Sequence, residues 1–171
     1  KPTKIPPGEL YTALERGTVD AVEWVGPSLD LRMGFHKIAP YYYSGWHEPA
    51  SELQFLVNKA AFEKLPPSYQ AVLKTAIQAI VLEMTAANFE ANAQAWKKMK
   101  EEYPDIKVMT FPEPVLKAMS KANDEVLQGY AAENAEFKEV YESRQAYMNI
   151  ARQWTNVSEK YYLETSETVS Q

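Results

Sequence analysis

At 171 residues, 46% of them apolar, the chain is long enough to bury one proper core, while its net charge of −5 has the wrong sign for gripping nucleic-acid phosphates. It contains no cysteine, which excludes disulfides, thiolate chemistry and Cys-ligated zinc or iron–sulfur centres. No apolar run approaches the roughly 18 residues of a transmembrane helix.

The chain starts at Lys1 without a Met or an apolar leader, and Lys1 to Pro7 carry three prolines and no core pattern. This predicts a native start further upstream, with Lys1 the product of a cleavage or of a cloning boundary. The first informative stretch is Gly8 to Pro27, GELYTALERGTVDAVEWVGP. Glu9 to Arg16 reads as a short helix, with Leu10, Ala13 and Leu14 at i, i+3, i+4 and Gly17 as its stop. Thr18 to Val22 then reads as a short strand that delivers the chain to Glu23-Trp24, and Gly26-Pro27 turns it away.

Five of the six glycines lie at or before position 45, so the first third reads as loop-rich and the rest as helical. Ser28 is suited to cap a helical turn built on Leu29, Leu31 and Met33. Lys37 to Tyr43 is an aromatic extended run in which Pro40 argues for an edge or irregular strand. Glu52 to Asn58 has the pattern of a buried strand, and Ala60 to Leu65 that of a short helix ending at Pro66-Pro67. Ser68 to Tyr103 contains neither Gly nor Pro. About 36 residues at ~1.5 Å each make a helix of ~54 Å, with Tyr69, Val72, Leu73, Ala76, Ile80, Met84, Ala87 and Ala91 as its apolar stripe and Pro104 as its stop. A strand over Ile106 to Phe111 follows, then helices over Glu113 to Asn134 and Phe137 to Thr155, and a tail carrying Tyr161, Tyr162 and Leu163. Four strands without a regular βαβ series predict a sheet that wants partners from elsewhere.

Two carboxylates stand beside a Trp and a turn: Glu23 in Glu23-Trp24-Val25-Gly26-Pro27, and Glu48 in Gly45-Trp46-His47-Glu48-Pro49. If the two converge, with a backbone carbonyl they supply hard oxygen ligands for Na⁺ or Ca²⁺, and such a cation could hold an anionic ligand. The same pair could act as the acid and base of a glycosidase. Both could equally be solvated side chains beside core tryptophans. His47-Glu48 does not begin a zinc-protease motif, because Pro49 opposes helix and Ser51 stands where a second His is needed. His36 has no metal-ligand partner at useful spacing. No Ser-His-Asp elbow, Walker loop or dinucleotide fingerprint is present.

GELYTALERGTVDAVEWVGP, then KIAPYYYSGWHEPAS, the strand ending Val57-Asn58-Lys59, the long helix and RQWTNVSEKYY at Arg152 to Tyr162 together closely resemble the solute-binding proteins of TRAP (tripartite ATP-independent periplasmic) transporters. Within them the chain is most similar to the 2-oxo acid, or mannitol/chloroaromatic, branch. The resemblance implies an α/β fold, the C-terminal portion of a two-lobed periplasmic binding protein. Residues 1–65 would be a lobe segment with the ligand-site loops and strands, 66–103 a long spine helix, and 104–171 a short strand and C-terminal helices, all one fragment. It implies a transport component and no enzyme: a periplasmic protein that closes on a small carboxylate and delivers it to the membrane permease subunits. A bridging metal ion, Na or Ca, would be held by the Glu23 side chain, the Trp24 backbone carbonyl and the Glu48 side chain, with Trp24, Glu23 and Glu48 forming the ligand site. The last helix, near Trp154 to Glu164, resembles one that some relatives exchange between subunits, a route to a homodimer.

Family members are roughly twice as long. Their substrate-pairing arginine and metal-completing glutamine belong to the part before Lys1, so this chain is expected to hold half a site and, alone, to bind substrate weakly. A helical interaction module without ligand, suggested by the aromatic tail, and a carboxylate-based hydrolase are the competing readings. Ligand-dependent stabilisation separates the first from a binding protein, and product formation separates the second.

Overall fold

The computed structural model describes residues 2–45 and 54–169. They divide into two units, Lys1–Phe111 and Pro112–Gln171.

In the first unit helix α1, Pro7–Glu15, starts on the Pro6-Pro7 pair, because a proline at the first helical position gives up an amide that has no partner there anyway. It stops where Gly17 takes a left-handed φ of 69°. Helix α2, Pro27–Met33, repeats the proline start, and Gly34, at φ 83°, ends it. Ser28 is therefore not its cap: Gly26 holds that position and Pro27 is the first helical residue. A 3-10 turn over Phe35–Lys37 leads to strand β1, Tyr41–Tyr43. The extended run is thus shorter than Lys37 to Tyr43, and Pro40 stands just ahead of the strand, as a residue without an amide donor should.

Helix α3, Lys59–Glu63, is capped by Asn58, whose Oδ1 accepts the Ala61 amide at 3.0 Å. Helix α4 runs Pro67–Glu102, 36 residues, with the length expected from the gap between the Pro66-Pro67 pair and Pro104. Strand β2, Lys107–Met109, pairs parallel with β1 in the register Tyr41 to Lys107, Tyr42 to Val108 and Tyr43 to Met109. Parallel strands need a crossover, and α3 with α4 provides it.

Two expected strands are absent among the described residues. Residues 18–20 bend and 21–24 have no regular structure, as do 54–58, where Leu56 is 88% exposed. Both runs have strand-like composition, yet a strand exists only with a hydrogen-bonding neighbour, and among the described residues none pairs with either.

The core of this unit is small and sits at the far end of α4. Phe35 and Met99 are buried, α2 packs on α4, and Tyr42 meets Trp96 with ring centroids 5.8 Å apart. Tyr43 packs on Phe111 at 4.8 Å. Of the expected α4 stripe, Leu73, Ile80 and Ala91 are partly buried, whereas every residue from 81 to 90 is exposed, including Leu82 and Phe89.

In the second unit α5, Glu113–Glu133, turns directly into α6, Ala135–Val157, at Asn134, whose side chain accepts the Phe137 amide at 2.9 Å. Tyr130 and Phe137 close the hairpin across this turn at 5.7 Å. Ser158 breaks the helix, and α7, Glu159–Val169, follows. The aromatic tail is thus a helix of its own, with Tyr161, Tyr162 and Leu163 exposed. The chain as described is a helix-rich α/β fold. No helix among the described residues is long and apolar enough to cross a membrane.

Candidate ligand and cation site

Glu23 is exposed on the irregular segment between α1 and α2, and Trp24 is partly buried beside it. The indole Nε1 of Trp24 is shut off from solvent and has no hydrogen-bond partner among the described residues. The segment leaves this position through Val25 and Gly26 into α2.

Two braces hold that turn. The first runs to the long helix: Asn92 Oδ1 accepts the Ser28 amide at 3.0 Å, while Asn92 Nδ2 donates to the Asn88 carbonyl at 3.0 Å. Asn92 thereby does for α2 what a capping side chain normally does from within a helix's own sequence. The approach is close: a Cβ at position 26 would stand 3.2 Å from Asn92 Oδ1, a tight contact that glycine avoids.

The second brace runs to the sheet. The Tyr42 hydroxyl, from β1, donates to Asp30 Oδ2 at 2.9 Å. Burial pushes the Asp30 carboxyl above its ordinary range; the Tyr42 hydroxyl and the amides of Gly26 and Val25 work against this, and the negative charge of Glu23 adds to it. Asp30 is therefore close enough to Glu23 and to the turn to feel both. Burial and the adjacent Asp30 push the Tyr42 phenol well above its ordinary value, so it remains a proton donor at any physiological pH.

The segment carries the Glu23 carboxylate and main-chain carbonyls, a kind of hard oxygen that suits Na⁺ or Ca²⁺ in general. Glu48 and His47 lie outside the described residues. Among the described residues no three His, Asp or Glu side chains come together. His36 lies against Tyr103 with ring centroids 4.4 Å apart, and its Nδ1 is buried without a hydrogen-bond partner among the described residues. Sequence reading passed over Asp30, Tyr42 and Asn92. Tyr42 lies in the aromatic run Lys37 to Tyr43 and Asn92 within the long helix; the only local hint is the turn Gly26-Pro27.

The bacterial extracellular solute-binding protein family 7 pattern matches residues 1–134. The monocarboxylate 2-oxoacid-binding periplasmic protein of Nostoc sp. is 36% identical over 159 residues, 92% of this chain and 43% of that protein. A TRAP periplasmic solute-binding protein from Colwellia psychrerythraea, solved with bound calcium and pyruvate, superposes with a TM-score of 0.93 at 50% identity, over 96% of this chain and 50% of that one. One from Pseudoalteromonas atlantica, with bound sodium and pyruvate, gives 0.89 at 50% identity, again over 96% and 50%. A third, from Bordetella bronchiseptica, is a mixed-occupancy dimer with copurified calcium and picolinate in its active site; it gives 0.88 at 36% identity, over 99% and 51%. The chain spans about half the length of these relatives.

Proposed function

Because the chain belongs to family 7 of the bacterial extracellular solute-binding proteins, we propose that it is part of the periplasmic solute-binding component of a TRAP transporter. That component captures a small carboxylate, a 2-oxo or 2-hydroxy acid, through a bridging metal ion and delivers it to the membrane permease. The observation that carries the reading is 50% identity over 96% of the chain to two proteins solved with pyruvate, one holding calcium and the other sodium.

In this reading Glu23 and Glu48 give side-chain oxygens to the cation and Trp24 gives its backbone carbonyl. A glutamate and a ligand carboxylate repel one another; a hard cation between them turns that repulsion into two attractions, and either Na⁺ or Ca²⁺ can fill the role. No bond is made or broken, so the component is a carrier and not a catalyst. The separate helix α7, with Tyr161, Tyr162 and Leu163 exposed, supports a homodimer formed through the C-terminal helix.

The test is the thermal midpoint of the intact protein against a panel of 2-oxo and 2-hydroxy carboxylates, with and without a chelator. A ligand at 100 times its Kd adds about 2.7 kcal/mol to the native state, a clear shift. The expected result is a shift that the chelator and Glu23→Ala or Glu48→Ala each abolish. If no carboxylate moves the midpoint under any metal condition, the substrate class is wrong.

A further inference from the structure

We propose that Asp30, held by the Tyr42 hydroxyl, is the positioning residue of the cation site: it mounts the Glu23-Trp24 pair and places a second negative charge behind it. The inference rests on the reading of Glu23 and Trp24 as cation ligands.

Glu23 and Trp24 lie on a segment with no helix or strand of its own, and Glu23 is exposed. Fixing one residue of such a segment costs about 1–2 kcal/mol of backbone entropy, which a cation would have to supply on binding unless the fold had already done so. The fold does so from the C-terminal side of the pair. Asn92 fixes the start of α2 through the Ser28 amide at 3.0 Å. Two residues further on, Asp30 reaches back toward the Gly26 and Val25 amides, and Tyr42 ties it to β1 at 2.9 Å. Tyr42 is itself set by Trp96 of α4, so the brace ends on the packed part of the unit.

Asp30 has a second property that a purely structural brace does not need. It is a partly buried carboxylate with no lysine or arginine paired to it among the described residues, and it faces the charge of Glu23. A neutral asparagine could accept the same tyrosine hydrogen bond without that repulsion. Two neighbouring negative charges without a cationic side chain between them favour a bound cation over a bare site. Tyr42 then supplies geometry, and Asp30 supplies geometry and field.

The two contributions separate by substitution. In the intact protein, Tb³⁺ serves as the metal probe: its emission is excited through nearby tryptophan, and its lifetimes in H₂O and D₂O count the waters left on the ion. Glu23→Gln, which removes a ligand, should weaken Tb³⁺ binding and add water to the ion. Tyr42→Phe, which removes the tie and keeps the charge, should weaken binding by about 10- to 100-fold, the usual effect of losing a partner behind a metal ligand, and should also add water. Asp30→Asn, which leaves one acceptor oxygen for the Tyr42 hydroxyl and removes the charge and the second oxygen, should weaken binding. Each variant must match the parent by circular dichroism; should Tyr42→Phe unfold, the nearly isosteric Asp30→Asn carries the test through affinity. If Glu23→Gln changes binding while Tyr42→Phe and Asp30→Asn leave affinity and water count at the parent values, the positioning inference is overturned and the cation site stands. If Glu23→Gln changes nothing, the cation-ligand reading falls and the inference with it.

Discussion

Asn92 Oδ1 accepts the backbone amide of Ser28 at 3.0 Å, a hydrogen bond between residues 64 positions apart. One atom of the long helix thus closes the open end of α2, directly after the turn that presents Glu23 and Trp24. Removing a capping oxygen typically costs about 1 kcal/mol. Asn92→Ala is expected to lower the stability of the intact protein by about that amount in urea denaturation. Asn92→Asp keeps the acceptor and puts a negative charge at the positive end of α2, so it should hold or raise stability. Equal losses in both variants would show that the oxygen is not what matters.

Two glycines take left-handed φ in different surroundings, which separates conformational from steric cost. Gly17, at φ 69°, has open space where a Cβ would go, whereas at Gly34, φ 83°, a Cβ would stand 3.2 Å from Tyr11 Cε2. Gly17→Ala should cost only the left-handed penalty, about 1–2 kcal/mol. Gly34→Ala should cost that and the displacement of the Tyr11 ring, which joins α1 to the end of α2. Comparing the two midpoints in one denaturation series checks the order; a larger loss at Gly17 contradicts it.

What the sequence made legible was whatever is decided locally. Helix α4 could be bounded almost to the residue because Pro66-Pro67 and Pro104 fence a stretch with no other breaker. Strands were harder, since pairing is not local. Thr18 to Val22 and Glu52 to Asn58 have strand composition, but the described part of each finds no partner; Tyr41–Tyr43 and Lys107–Met109 find one another across the whole of α4. Glu23-Trp24 could be singled out as a carboxylate and an indole beside a turn. Its supports, Asp30, Tyr42 and Asn92, were illegible because each acts through a contact that only the folded chain creates.

His36 makes the first unit sensitive to acid. Burial, with Lys37 and Lys98 nearby, holds its pKa below the ordinary value of 6.5. The folded chain then binds this proton less readily than the unfolded chain, so the contribution is complete above 6.5 and is lost as pH falls from there through the folded value. His36→Phe keeps a ring against Tyr103 and removes both the titration and the unpartnered Nδ1. The parent should therefore lose stability relative to His36→Phe as pH drops below 6.5. A stability difference that stays constant from neutral to acid pH would mean that His36 titrates alike in both states.

Trp24 offers a way to tell a main-chain ligand from a side-chain one. If the backbone carbonyl is the donor, Trp24→Phe leaves the donor in place and removes only the indole, whose Nε1 has no partner among the described residues. Calcium affinity of the intact protein, measured by calorimetry in the presence of pyruvate, should then change by less than about tenfold, under 1.4 kcal/mol, in Trp24→Phe. If Glu23 is a ligand, as proposed, Glu23→Gln exchanges a charged oxygen for a neutral amide, and its loss should be much larger. A large loss in Trp24→Phe, matching that of Glu23→Gln, would transfer the role from the main chain to the indole.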